Sequence, residues 1–135
     1  MTFSKNYEDF LFTALRISLA VIFVWFGALK MLGYNPVFDL IYNSIFPAFA
    51  SGSGLVILGI IEVVIGILLF TNRLLFFTHC VVFLHLLGTF STFIFGWNVI
   101  FDPKFPILTL SGEFVVKNMI LAIAGLMILV RNSRR

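Results

Sequence analysis

The run 52–70 reads GSGLVILGIIEVVIGILLF, and it decides the fold. Its length is close to the roughly 20 residues that an α-helix needs to cross the hydrocarbon core of a membrane. Glu62 is its one ionisable residue, and Gly59 and Gly66 lie on the same helical face as Glu62. Because small residues let a second helix approach closely, the run predicts a membrane span with a carboxylate on a helix-packing face.

Three further apolar runs, at about 10–32, 74–97 and 112–130, also contain ionisable residues. Hydrophobic residues make up 61% of the 135 residues and charged residues only 11%, whereas soluble domains are about one-quarter charged. The mean hydropathy is +1.11. We therefore predict an all-α integral membrane protein, a single four-helix transmembrane bundle formed by residues 1–135.

The lipid bilayer is the predicted environment, and nucleic acid is excluded as a partner. The net charge of +3 is spread along the chain, whereas nucleic-acid binding needs a basic patch. The lone Cys80 allows no internal disulfide. Since it lies inside an apolar run, we predict that it is a small buried hydrophobic residue.

Lysine and arginine predict the orientation. Four spans put both termini on the same side as the turn 71–73, together with Lys5, Arg73, Arg131, Arg134 and Arg135. Because positively charged loops stay inside, we predict that both termini are cytoplasmic. The short turn predicts an antiparallel hairpin of spans two and three. Segment 33–51 is predicted to contain an interfacial or re-entrant stretch, and 98–111 to fold onto the bundle mouth.

Two basic residues, Arg16 and Lys30, share one face of the first span. Each side chain either reaches the headgroups alone or faces another helix; the small Ala20 and Gly27 between them favour the second interpretation. Glu62 is too deep to reach the surface easily; it either is ionised and needs a cation, or is neutral. Counted from the cytoplasmic ends of their spans, Arg16 and Glu62 differ in depth by one turn or less, so we predict that they pair. That pair would either fix helix register or serve transport or redox chemistry.

The two histidines of the third span, His79 and His85, point about 120° apart. They cannot ligate one metal ion from a straight helix, and the sequence has no cysteine cluster, so we predict no metal site. His85 is near mid-depth, where it would act as a proton relay or ligand contact. The alternative is a neutral histidine that is hydrogen-bonded across helices.

The start of the fourth span carries polar residues. Ser111 is the predicted N-cap, and Glu113 falls in the first turn, where the helix dipole favours an acid. Glu113 and Lys117 are four residues apart in the favourable order, as expected for an interfacial ion pair. Lys30 and Lys117 come to similar outer depths. With Glu113 and Asp102 they are predicted to line an outer pocket for an anionic or carbonyl-bearing ligand.

Five stretches resemble the DoxX-like superfamily of small membrane proteins, and the last two its YkgB branch: LRI at 15–17, FGALK at 26–30, GIIEVVIG at 59–66, TFSTF at 89–93 and LSGEFVVKN at 110–118. The resemblance implies a four-helix bacterial inner-membrane protein. Relatives recur in redox and oxidative-stress settings, although the YkgB branch has no established activity. The implied functional positions are Arg16, Lys30, Glu62 and Lys117.

These observations predict three alternative functions. The first is a redox-linked accessory protein that binds a quinone or similar lipophilic ligand, or a membrane redox partner. The second is a carrier or conduit for a small anion or protons, and the third is a structural assembly subunit or homo-oligomer. The sequence specifies no reaction, and enzymatic activity of the chain alone is not expected. The candidate ligand or proton residues are Arg16, Lys30, Glu62, His85, Glu113 and Lys117.

Overall fold

The structure, a computed structural model, describes residues 4–35, 37–73 and 75–133. The predicted start of the third span at Leu74 and the terminal Arg134 and Arg135 lie outside the described residues. In chain order the helices are α1 (Lys5–Met31), α2 (Phe38–Tyr42), α3 (Gly52–Thr71), α4 (Leu75–Phe90), α5 (Thr92–Phe95), α6 (Trp97–Ile100) and α7 (Leu110–Ser133), with a 3-10 turn at Pro47–Ala50 between α2 and α3.

In the part of the chain that the structure describes, four helical segments are long and apolar enough to cross a membrane: Lys5–Met31, Gly52–Thr71, Phe76–Phe95 and Leu110–Arg131. Within the described ranges the only β-type pairing is an isolated bridge between Phe101 and Leu108. The prediction of an all-α, four-helix, multi-pass membrane protein is confirmed. The first span begins five residues earlier than predicted, because Ser4 accepts a hydrogen bond from the Tyr7 backbone N–H and caps a polar first turn.

The third span is interrupted, which the sequence did not predict. Helix α4 ends at Phe90, and α5 and α6 are single turns separated by Gly96. The Ser91 hydroxyl donates to the Gly88 carbonyl at 2.5 Å and accepts from the Ile45 backbone N–H at 3.1 Å. A serine that bonds its own helix backbone and a loop in this way competes with regular helix geometry. The predicted third span is therefore found over Phe76–Phe95, with a local break in the helix at Ser91.

The long helices pack in two close pairs, α1 against α3 and α4 against α7. The core between them is apolar, and its buried members are Leu19, Ala20, Phe23, Ile65, Leu69, Val82, Leu86, Ala124 and Ile128. Helix α4 faces this core with Val82 and Leu86. Cys80 lies off that face and is exposed, so the prediction of a buried cysteine is wrong.

The two long connections meet on the bundle mouth opposite the termini. Leu40 from α2, Ile100 and Phe101 from the second connection, and Val115 of α7 form a separate buried cluster. The Thr92 hydroxyl donates to the Leu40 carbonyl at 3.4 Å. The prediction that segment 98–111 folds onto the bundle is confirmed, and the connection 33–51 does the same through α2.

Candidate functional site

A buried ion pair between α1 and α3 forms the centre of the site. Lys30, in the last turn of α1, donates from Nζ to both carboxylate oxygens of Glu62, at 3.0 Å to Oε1 and 2.8 Å to Oε2. The two residues are 6% and 2% exposed. Charges at membrane depth are costly without a partner, and here each charge offsets the other.

The prediction that Arg16 pairs with Glu62 is wrong. Arg16 instead donates from Nη1 to the carbonyls of Leu69 at 2.5 Å and Phe70 at 2.7 Å. These carbonyls belong to the last turn of α3, where backbone acceptors lack partners within the helix. Helical side chains lean toward the N-terminus of their own helix, so Arg16 leans away from Glu62 toward the end of α3.

The same lean brings Lys30 and Glu62 together, because α1 and α3 are antiparallel. Lys30 leans back along α1, and Glu62 leans toward the start of α3, so the two side chains converge. The close approach of α1 and α3 allows these two side chains to meet. A Cβ built on Gly27 would lie 2.6 Å from the Gly59 carbonyl oxygen and 2.9 Å from the Glu62 Cβ. Only glycine at this crossing lets the two backbones touch.

His85 of α4 completes a buried cluster of ionisable side chains. Its Nε2 lies 3.4 Å from Glu62 Oε1, and its side chain is 22% exposed. Its ring packs edge-on against Phe23, with 5.8 Å between the centroids. His79 instead lies near α7, where a Cβ on Gly125 would sit 3.8 Å from the His79 ring. The structure therefore separates the two histidines, and only His85 joins the cluster.

Two cavities share Lys30 as a wall. The inner one, about 80 Å³, is lined by Lys30, Glu62, His85 and the 5% exposed Asn118, among others. The outer one, about 390 Å³, is also lined by Lys30 and is bounded by the apolar side chains of Phe26, Leu29, Val37, Leu110 and Phe114, and by the polar side chains of Ser111, Glu113 and Lys117. The structure thus gathers Lys30, Glu113 and Lys117 around one cavity, as predicted, but Asp102 does not line it.

The ion pair of Glu113 and Lys117 is weak and exposed. Its N–O distance is 3.9 Å, and the side chains are 52% and 74% exposed. Ser111 is not the N-cap of α7. Thr109 takes that role, since its hydroxyl accepts from the Gly112 backbone N–H at 2.9 Å. The helix begins one residue before Ser111, because Thr109 is also held by its bond to the Val99 carbonyl at 2.5 Å.

The chemistry available at the site is that of an acid, an imidazole and an ammonium group beside an apolar cavity. Among residues 4–35, 37–73 and 75–133, no three histidine, cysteine or acidic side chains converge as a metal site would require. Arg16 lies outside the cluster. What the sequence missed was Asn118, whose small polar side chain in an apolar run was the available signal.

Comparison with known proteins found no matching family model, no matching curated protein and no matching solved structure. The resemblance of the five sequence stretches to DoxX-like proteins stays a prediction.

Proposed function

We propose that this multi-pass membrane protein is a DoxX-like, redox-linked accessory protein of the bacterial inner membrane that binds a quinone-like ligand in the outer cavity. One observation carries the proposal: Lys30 lines that cavity and is hydrogen-bonded to the buried Glu62. A ligand oxygen at Lys30 would therefore be one residue away from an acid and an imidazole.

The outer cavity suits a lipophilic ring with oxygen substituents. Its volume of about 390 Å³ falls in the range of roughly 300–1,000 Å³ that small-molecule sites occupy. Phe26, Leu29 and Phe114 supply apolar walls. Lys30 and Lys117 supply ammonium donors, which have no acceptor capacity and so select for ligand oxygens.

In this proposal the inner cluster handles protons. Glu62 and His85 can each hold a proton, and 3.4 Å separates their facing atoms. The quinone-like ligand supplies the redox chemistry when bound, while a membrane redox partner supplies electrons. Lys30 and Lys117 orient the ligand oxygens, and the apolar walls pack against the ring.

The carrier alternative has less support. A conduit from Glu62 to the terminal side of the bundle would have to pass Ile65 and Leu69 on α3 and Val82 on α4, all of which are buried in the core. The structural alternative is supported by the Lys30–Glu62 bond itself, which joins α1 to α3.

The test is binding of a short-tailed benzoquinone to the purified protein, measured by native mass spectrometry and by thermal stabilisation. We expect Lys117→Met to weaken binding about tenfold or more, since a hydrogen bond from a charged donor contributes about 1.5–3 kcal/mol. Lys104→Met is the control, because Lys104 is an exposed lysine of the outer connection that does not line the cavity. Unchanged binding in both Lys117→Met and Glu62→Gln would refute the proposal.

A further inference from the structure

A second cavity system lies at the opposite end of the bundle, where α1 begins and α7 ends. An open groove of about 620 Å³ runs between these helices, with Lys5 and Arg131 among its lining residues. Its remaining lining residues are apolar: Phe12, Ile123, Leu126, Met127 and Val130. From Ile123 to Val130 the groove follows α7 for about 10 Å at 1.5 Å per residue.

A small polar compartment adjoins the basic end of this groove. Its volume is about 130 Å³, and it shares Phe12 and Arg131 with the groove. Arg16, Thr13 and Asn72 contribute to its lining. The Arg131 guanidinium stacks 4.2 Å above the centre of the Phe12 ring and pairs with Asp9. Arg131 is therefore held at the junction of the apolar groove and the polar compartment.

The charge around the two spaces is unbalanced. Lys5, Arg16 and Arg131 are basic, and among the described lining residues Asp9 is the one acid. Arg16 uses Nη1 for the carbonyls at the end of α3, which leaves further guanidinium donors. An occupant with an apolar tail and a negatively charged head complements this arrangement.

We propose that the groove binds one anionic phospholipid of the surrounding membrane. An acyl chain would lie along Leu126 and Met127, and the phosphate would meet Lys5 and Arg131 at the level of the headgroups. Basic pockets between membrane helices bind anionic headgroups, because the attraction of each basic side chain adds to apolar burial. A free phosphate would leave the apolar groove unused, and a neutral lipid would leave the basic end unmatched.

The site is separate from the Lys30–Glu62 cluster, so its test is independent of the proposed function. The protein is titrated with dioleoyl phosphatidylglycerol or with dioleoyl phosphatidylcholine, and bound lipid is counted by native mass spectrometry. We expect preferential retention of the phosphatidylglycerol. Lys5→Gln should weaken its binding about fivefold, the factor expected for one basic residue near the surface.

Matched variants make the test sharp. Arg73→Gln removes a charge from the same end of the bundle outside both linings, and it should leave lipid binding unchanged. Leu126→Trp fills the groove without altering charge and should weaken binding. Asp9→Asn removes the carboxylate that competes for Arg131 and should strengthen binding, a gain that loss of folding would not produce.

Three results would overturn the proposal. The first is equal retention of the two lipids, and the second is full phosphatidylglycerol binding in both Lys5→Gln and Leu126→Trp. The third is displacement of the lipid by inorganic phosphate alone, which would identify a phosphate site rather than a lipid site.

Discussion

The buried pair of Lys30 and Glu62 gives the sharpest prediction about this bundle. We consider three variants: Lys30→Met, Glu62→Met and the double variant. Methionine is unbranched and flexible, so it fills the space of either side chain with little strain. The three variants form a thermodynamic cycle that isolates the energy of the pair from the energy of each side chain.

The structure sets the size of the effect. Nζ is bonded to both carboxylate oxygens, at 3.0 and 2.8 Å, and both side chains are under one-tenth exposed. Removal of one partner from such a pair leaves an uncompensated buried charge, which costs about 3–5 kcal/mol of unfolding free energy. Replacement of both partners removes both charges and is often neutral or stabilising, by roughly 1–4 kcal/mol. We expect the double variant to be more stable than either single variant.

The assay is reversible unfolding in mixed detergent micelles as the fraction of sodium dodecyl sulfate rises, with helicity followed by circular dichroism. Ile60→Met is the control, since Ile60 is 45% exposed on the same helix and should change stability by no more than about 0.5 kcal/mol. Single variants within that margin, or a double variant whose loss equals the sum of the singles, would refute the reasoning. A stable double variant that no longer binds benzoquinone would separate the ligand role of the pair from its structural role.

Three further predictions concern packing, capping and surface charge. Gly59→Ala should destabilise the protein by about 1–3 kcal/mol, because its Cβ would clash with the backbone of α1. Gly125→Ala, whose Cβ would make only an ordinary contact, should be nearly neutral. Thermal unfolding of the two variants tests this difference. Arg16→Gln should cost about 1.5–3 kcal/mol through its lost bonds to the end of α3, and exchanging the charges of Arg16 and Glu62 should not restore folded yield. Glu113→Gln should change the unfolding free energy by only about 0.2–0.5 kcal/mol, and a larger loss in the same micelle titration would contradict the exposed geometry.

The fold was predictable because hydrocarbon thickness imposes a length on every span. Four apolar runs of about 20 residues give four helices with little freedom. The ends of the helices were less predictable. Helix α1 begins in a polar segment because a serine caps it, and hydropathy does not detect helix in polar residues. The break at Ser91 depends on a bond to Ile45, a residue far away in the sequence. Such a contact has no local signature.

The site was predictable as a set of residues but not as a set of pairs. Ionisable residues are conspicuous within apolar runs, so Lys30, Glu62 and His85 could be identified from the sequence. Their pairing depends on the relative depth of two helices. Depth counted from the ends of the spans gave the wrong partner, because helices in one bundle begin and end at different levels.

Small residues carry the missing depth information. Gly27 of α1 packs on Gly59 of α3, and Ala20, seven residues earlier in α1, packs on Gly66, seven residues later in α3. The two helices therefore keep one antiparallel register over this stretch. Four more residues in the same register bring Arg16 level with Phe70, whose carbonyl it binds. The lean of helical side chains then turns Lys30 toward Glu62 and Arg16 away from it. The register set by the Gly27–Gly59 and Ala20–Gly66 contacts, together with the direction of the Cα–Cβ bond, accounts for both pairings. An antiparallel helix pair with similarly spaced small residues can be aligned by the same rule.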